Sequence, residues 1–234
     1  MTDQLITFYD DATGERTGLT AAALGDWVAA TADLLVTGCG LRAGSRAGVL
    51  LPPHWQTAVV LLGAWAAGIE VSFRSWGAAG LTPDTGPPLD VTFVERRRIG
   101  SWLEDVPAAS HQFVLGLAAG GGPTSDVPPG YEDFAPAARA RLGAPPPSDG
   151  VRAGAAATVD GTTFGEYGAT AAAVAAARGI QPGDRILIDT AACEEPLTWL
   201  MAPLMAGASI VLCANLDRSR LDARLAAEGV TRSL

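Results

Sequence analysis

The chain has 234 residues, of which 48% are hydrophobic, 18% charged and 6% aromatic, and it carries a formal charge of −9 at pH 7. All 16 basic residues are arginine, so chemistry that needs an ε-amine, such as a Schiff base or a phosphate-loop lysine, has no residue to perform it. The acidic balance opposes binding to nucleic acid or an anionic membrane surface, while three cysteines without C-x-x-C spacing and two histidines signal neither a disulfide framework nor a metal site.

Met1-Thr2-Asp3-Gln4 has no basic segment leading into an apolar one, so a secretory leader is not expected and the cytoplasm is the expected location. A helix is expected from Thr20, its cap, to about Thr37. Gly40 ends that helix, Gly44 reverses the chain, and Arg46 opens an apolar strand. The helix that follows starts at His54, turns at Ala67-Gly68, and leads into a second apolar strand over 69–73. Beyond it, Arg74 and Trp76 form a candidate anion or aromatic pocket, because open α/β sheets bind ligands outside the carboxyl ends of their strands.

Further strands are expected over 90–94 and 113–117, with Arg96-Arg97-Arg98 between them read as the solvated start of a helix. Residues 118–150 contain Gly120-Gly121-Gly122-Pro123, Pro128-Pro129-Gly130 and Pro145-Pro146-Pro147, which leaves room for one short helix over 131–142. Thr163 and Glu166 have the spacing of a capping box and start a helix to about Arg178. A strand follows over 186–188, then an apolar stretch over 197–214 that Pro203 and Gly207 interrupt, read as a buried helix and a strand rather than a membrane span. Trp55, Trp65, Trp76, Trp102 and Trp199 fall on apolar faces and are expected in the core.

A shift of 139 residues aligns two of these segments without a gap. Gly40, Gly44 and Arg46 match Gly179, Gly183 and Arg185, and Ala67-Gly68 matches Ala206-Gly207. Short apolar strands joined by helices are the pattern of a parallel sheet covered on both faces. The expected fold is therefore α/β, with two pseudo-symmetric βαβ-type subdomains whose mostly parallel sheets are flanked by helices. The first is expected over 1–117 and the second over 153–234, with 118–152 as a Gly/Pro-rich linker. His54 and Cys193 fall at equivalent helix starts, where a helix N-terminus lowers a thiol pKa, so they form a candidate catalytic dyad.

Leu19-Thr20 with Leu24, Thr163-Phe164-Gly165-Glu166-Tyr167, the segment from Gly40 to Pro53, and Ala202-Pro203-Leu204-Met205-Ala206-Gly207-Ala208 together resemble the N-terminal portion of the adenylate-forming superfamily. That superfamily contains acyl-CoA synthetases, luciferases and peptide-synthetase adenylation domains. The resemblance spans nearly the whole chain and implies its two pseudo-symmetric subdomains.

Where the family carries a Thr-Ser-Gly-Thr-Thr-Gly-x-Pro-Lys-Gly phosphate loop, only Gly161, Thr162 and Thr163 match as a remnant. Asp160 replaces a hydroxyl there and no lysine follows. By its residues alone this segment is expected to be a hairpin turn leading into a capped helix. The family's adenine strand, ribose-binding acid and lysine-bearing C-terminal domain have no counterpart before Leu234. The expectation is a truncated, catalytically degenerate relative acting as a binding or interaction module, without cofactor or metal. One alternative is an AMP-forming ligase-type enzyme that retains ATP and magnesium or acyl binding and is completed by a partner chain. Another is a structural or regulatory subunit, a homo-oligomer or bound to a partner protein, that pairs through an exposed sheet edge.

Overall fold

In the computed structural model, which describes residues 4–75, 88–101, 106–147 and 150–234, the strands form two five-stranded sheets in a mixed α/β fold. Contacts divide the chain into two units that interleave along the sequence. One comprises Gly25–Pro52 and Gln56–Gly165, and the other Met1–Leu24, Pro53–Trp55 and Glu166–Leu234.

The sheet of the first unit contains β3 (Arg46–Leu50), β4 (Glu70–Phe73), β5 (Leu89–Glu95), β6 (Ala109–Leu115) and β7 (Glu132–Asp133), in the order β4-β3-β5-β6-β7 and parallel throughout. Near-continuous apolar strands such as Val91, Phe93 and Val94 in β5 and Phe113, Val114 and Leu115 in β6 are buried, as parallel strands covered on both faces must be. Phe93 and Phe113 stack at 5.4 Å, and Phe134 from α3 (Phe134–Arg139) meets Phe93 edge-on at 5.6 Å.

Helix α1 (Ala21–Asp33) begins with the Ala23 N–H donating to Thr20 Oγ1 at 3.1 Å and ends in a π-turn over Leu34–Gly38. It lies so close to α2 (Trp55–Ala66) that a Cβ on Gly63 would sit 2.5 Å from Thr31.

The second unit contains the sheet β10-β8-β9-β1-β2, built from β1 (Ile6–Asp10), β2 (Glu15–Leu19), β8 (Arg185–Asp189), β9 (Ser209–Ala214) and β10 (Arg232–Ser233). All neighbours are parallel except the β1–β2 hairpin, whose register pairs Ile6 with Leu19 and Asp10 with Glu15. Helices α4 (Phe164–Ala177), α5 (Ala202–Met205) and α6 (Leu221–Glu228) complete this part of the chain, with a π-turn over Leu197–Met201 ahead of α5. Trp55, Trp65 and Trp199 are buried as expected, while Trp76 and Trp102 lie outside the described residues.

The 139-residue correspondence is carried by the backbone. Gly44 and Gly183 have φ of 85° and 84°, and each N–H donates at 3.0 Å to the carbonyl of the matching glycine, Gly68 or Gly207. Glu70 N–H donates to Ser45 O as Ser209 N–H donates to Asp184 O, and the strand registers Arg46–Glu70 and Arg185–Ser209 are the same. The likeness reaches a third strand. Ala47 pairs with Val91 as Ile186 pairs with Arg232, and the N–H of the opening arginine is held by Asp90 Oδ2 in one case and Thr231 Oγ1 in the other.

Candidate functional site

The segment that resembles a phosphate loop is a tight hairpin. Ala156 bridges Thr163 in antiparallel fashion, the Ala157 N–H donates to Thr162 O at 2.8 Å, and Gly161 takes the turn with φ of 91°, a conformation that favours glycine. At its tip one carboxylate oxygen, Asp160 Oδ1, accepts from Thr158 Oγ1 at 2.5 Å, from the Thr162 N–H at 3.0 Å and from Thr162 Oγ1 at 2.9 Å. The Thr158 hydroxyl first, then the Thr162 N–H and hydroxyl, hold the Asp160 carboxyl below the usual carboxylate range.

The base of the hairpin is stitched to the edge strand β4. Ala157 O accepts from the Val71 N–H at 2.9 Å and from Trp65 Nε1 at 3.0 Å, and the Val159 N–H donates back to Val71 O. Gly161 and Thr162 are thereby placed in the turn, with both Thr162 donors directed at Asp160. Thr163 sits immediately before α4.

His54 is buried edge-on against Phe8, with ring centroids 4.1 Å apart. Burial takes its imidazole down to about 3, against a partial opposing pull from Asp10. Cys193 is half-buried, and burial raises its thiol pKa although the Arg178 charge pulls the other way. These environments favour a neutral imidazole and a protonated thiol, the reverse of what a thiolate–imidazolium pair requires. Tyr167, also in the second unit, is pushed up to about 12 by burial and the Glu195 charge.

Arg74 directly follows β4, donates its N–H to Val49 O at 2.9 Å, and accepts at its carbonyl from Arg98 Nη1 at 2.8 Å. Its expected pocket partner Trp76 lies outside the described residues. The arginine run departs from its reading as a solvated helix start. It forms a single 3-10 turn in which Arg98 is only 1% exposed, because the carbonyls left open after β4 can take its donors. Arg97, by contrast, stands in solvent against Glu95 at 2.5 Å.

A charged cluster without a signal in the sequence occupies the second unit. Glu228 of α6 accepts from the Tyr9 hydroxyl at 2.6 Å, from Arg16 at 2.9 Å and from Arg185. Burial works to raise its pKa, but these donors outweigh it and take the carboxyl down to about 2. Among the described residues no group of His, Cys, Asp and Glu is placed to hold a metal ion, and no described helix is long and apolar enough to cross a membrane.

No family model matches the chain. A TIGR03089 family protein from Mycobacterium tuberculosis (strain ATCC 25618 / H37Rv) is 36% identical to it over 235 residues, covering 98% of this chain and 90% of that protein. Among solved structures, the N-terminal domain of FACL13 from Mycobacterium tuberculosis matches 98% of this chain and 58% of that one, with a TM-score of 0.68 at 16% identity. Acetoacetyl-CoA synthetase from Streptomyces lividans matches 99% of this chain and 39% of its own, with a TM-score of 0.71 at 18% identity. An acyl-CoA synthetase from Brucella canis matches 98% and 44%, with a TM-score of 0.67 at 18% identity. The chain thus has the fold of the N-terminal region of acyl-CoA synthetases and spans about half the length of the solved proteins it matches.

Proposed function

The chain belongs to the TIGR03089 family, and on that premise we propose that it is a catalytically silent relative of the adenylate-forming synthetases that works as a binding or interaction module. The observation that carries this reading is the Asp160 hairpin. A phosphate loop works by aiming free backbone N–H groups and hydroxyls at an anion. Here the hydroxyls of Thr158 and Thr162 and the Thr162 N–H converge on the chain's own carboxylate, which adds a negative charge where a triphosphate would bring several more. The 234 residues also contain no lysine to neutralise developing charge on a leaving pyrophosphate.

The test is ATP–pyrophosphate exchange with a panel of carboxylic acids and magnesium. The reading expects no acid-dependent exchange above the blank. Exchange that depends on one acid and saturates with ATP would contradict it and favour an AMP-forming ligase.

A further inference from the structure

Helix α6 reverses the usual pattern of a surface helix: its two buried residues are both charged, Arg224 and Glu228, while Leu221 and Leu225 are half-buried. Arg224 grips Asp11, just past the end of β1, through bonds of 3.0 and 2.5 Å, lies 4.3 Å over the Tyr9 ring, and brings Nη1 to 3.6 Å from Cys213 Sγ. Glu228, one turn on, takes the hydroxyl of Tyr9 and the guanidinium groups of Arg16 and Arg185. Beneath the helix lie Leu187, Val211 and the fully buried Cys213. The two-residue strand β10 follows and is tied to β8 by backbone bonds such as Thr231 N–H to Arg185 O and Leu234 N–H to Leu187 O, both 2.9 Å.

We propose that α6 and β10 form an ion-held clasp that releases from the sheet as one unit while β1, β8 and β9 stay paired. A buried ion pair gains little over its two hydrated halves, and an eight-residue helix has no stability of its own. Release returns Arg16, Arg224, Asp11 and Glu228 to water, leaves Arg185 its bonds to Thr7 and Ser209, and exposes one apolar cluster rather than the whole core, so this segment opens at lower cost than the sheet. The open form uncovers the Cys213 thiol and the Leu187–Val211 face, both hidden in the closed form.

The clasp is tested by thiol alkylation of Cys213 in the full chain carrying Cys39→Ser and Cys193→Ser. Labelling is expected through an opening much less sensitive to urea than global unfolding, with Leu212 and Phe8 amides still protected from hydrogen exchange. Glu228→Gln should raise the labelling rate at least about tenfold, because Arg185 is left without its carboxylate, whereas Leu225→Ala raises it only a few-fold. Labelling at the rate and urea dependence of global unfolding overturns the proposal even if Glu228→Gln fails to fold. So does a larger effect from Leu225→Ala, or loss of β9 amide protection in step with labelling.

Discussion

The turn-and-strand segments that open at Arg46 and Arg185 share glycine conformations, hydrogen bonds and strand registers, yet their opening arginines live in different worlds. The Arg46 side chain is 37% exposed and reaches Glu70 at 3.4 Å, whereas that of Arg185 is 9% exposed and donates to Glu228, Thr7 and Ser209. The helices that follow also differ. Trp55-Gln56-Thr57 starts a regular α-helix, while the matching Glu194-Glu195-Pro196 leads into a π-turn, Pro196 lacking the N–H that Thr57 has. Backbone geometry follows from a few glycines. What a side chain meets follows from which later segment covers it.

That contrast breaks most visibly at the two arginines. Arg185→Ala removes the buried cation from Glu228, which keeps only the half-exposed Arg16 and the Tyr9 hydroxyl, and is expected to cost about 3 kcal/mol, while Arg46→Ala is expected to cost about 0–1 kcal/mol. Denaturant midpoints of the two variants measure the difference, and equal costs would mean that burial of Arg185 carries no energetic weight.

A smaller contrast lies at the equivalent helix starts. The His54 pKa is lowered to about 3 in the folded chain, so the unfolded chain takes up the proton first as pH falls. Stability tied to this group is complete above about pH 6.5 and is lost progressively below it. Stability curves between pH 7 and 5 should therefore flatten in His54→Leu and keep their slope in Cys193→Ala.

The shared backbone is sharpened by Gly44→Ala and Gly183→Ala. Both glycines have positive φ with open space around the missing Cβ, so each substitution is expected to cost about 1 kcal/mol, and the two costs to agree closely. A large inequality in their melting temperatures would show that the two turns are not equivalent. An effect of similar size and opposite sign is expected in the third strands. Thr92 of β5 has a fully buried hydroxyl without a hydrogen-bond partner among the described residues, whereas Ser233, two places into β10, is exposed. Thr92→Val should raise stability by about 1 kcal/mol, and Ser233→Ala should leave the melting temperature unchanged.

Much of the scaffold is legible in the amino-acid sequence because glycine punctuation and apolar runs are local signals. The turns at Gly40–Gly44 and Gly179–Gly183, the strands they feed, the Thr20 cap and the burial of Trp55, Trp65 and Trp199 all rest on such signals. The membership of β1 and β2 in the sheet of β8 and β9 does not, because the pairing of Ile6 with Ile210 spans most of the chain. Burial of Arg98, Arg224 and Glu228 is likewise set by distant partners, and arginine and glutamate otherwise mark solvated faces. In the hairpin, the substitution of Asp160 for a hydroxyl is visible in the sequence. That its carboxylate draws in both neighbouring threonines is a matter of geometry.

Calorimetric titration of the intact chain with magnesium and ATP tests the central claim most directly, because the hairpin's Thr158 hydroxyl and both Thr162 donors already serve Asp160. No saturable heat at millimolar nucleotide is the expected result. A saturable, magnesium-dependent isotherm would contradict the account.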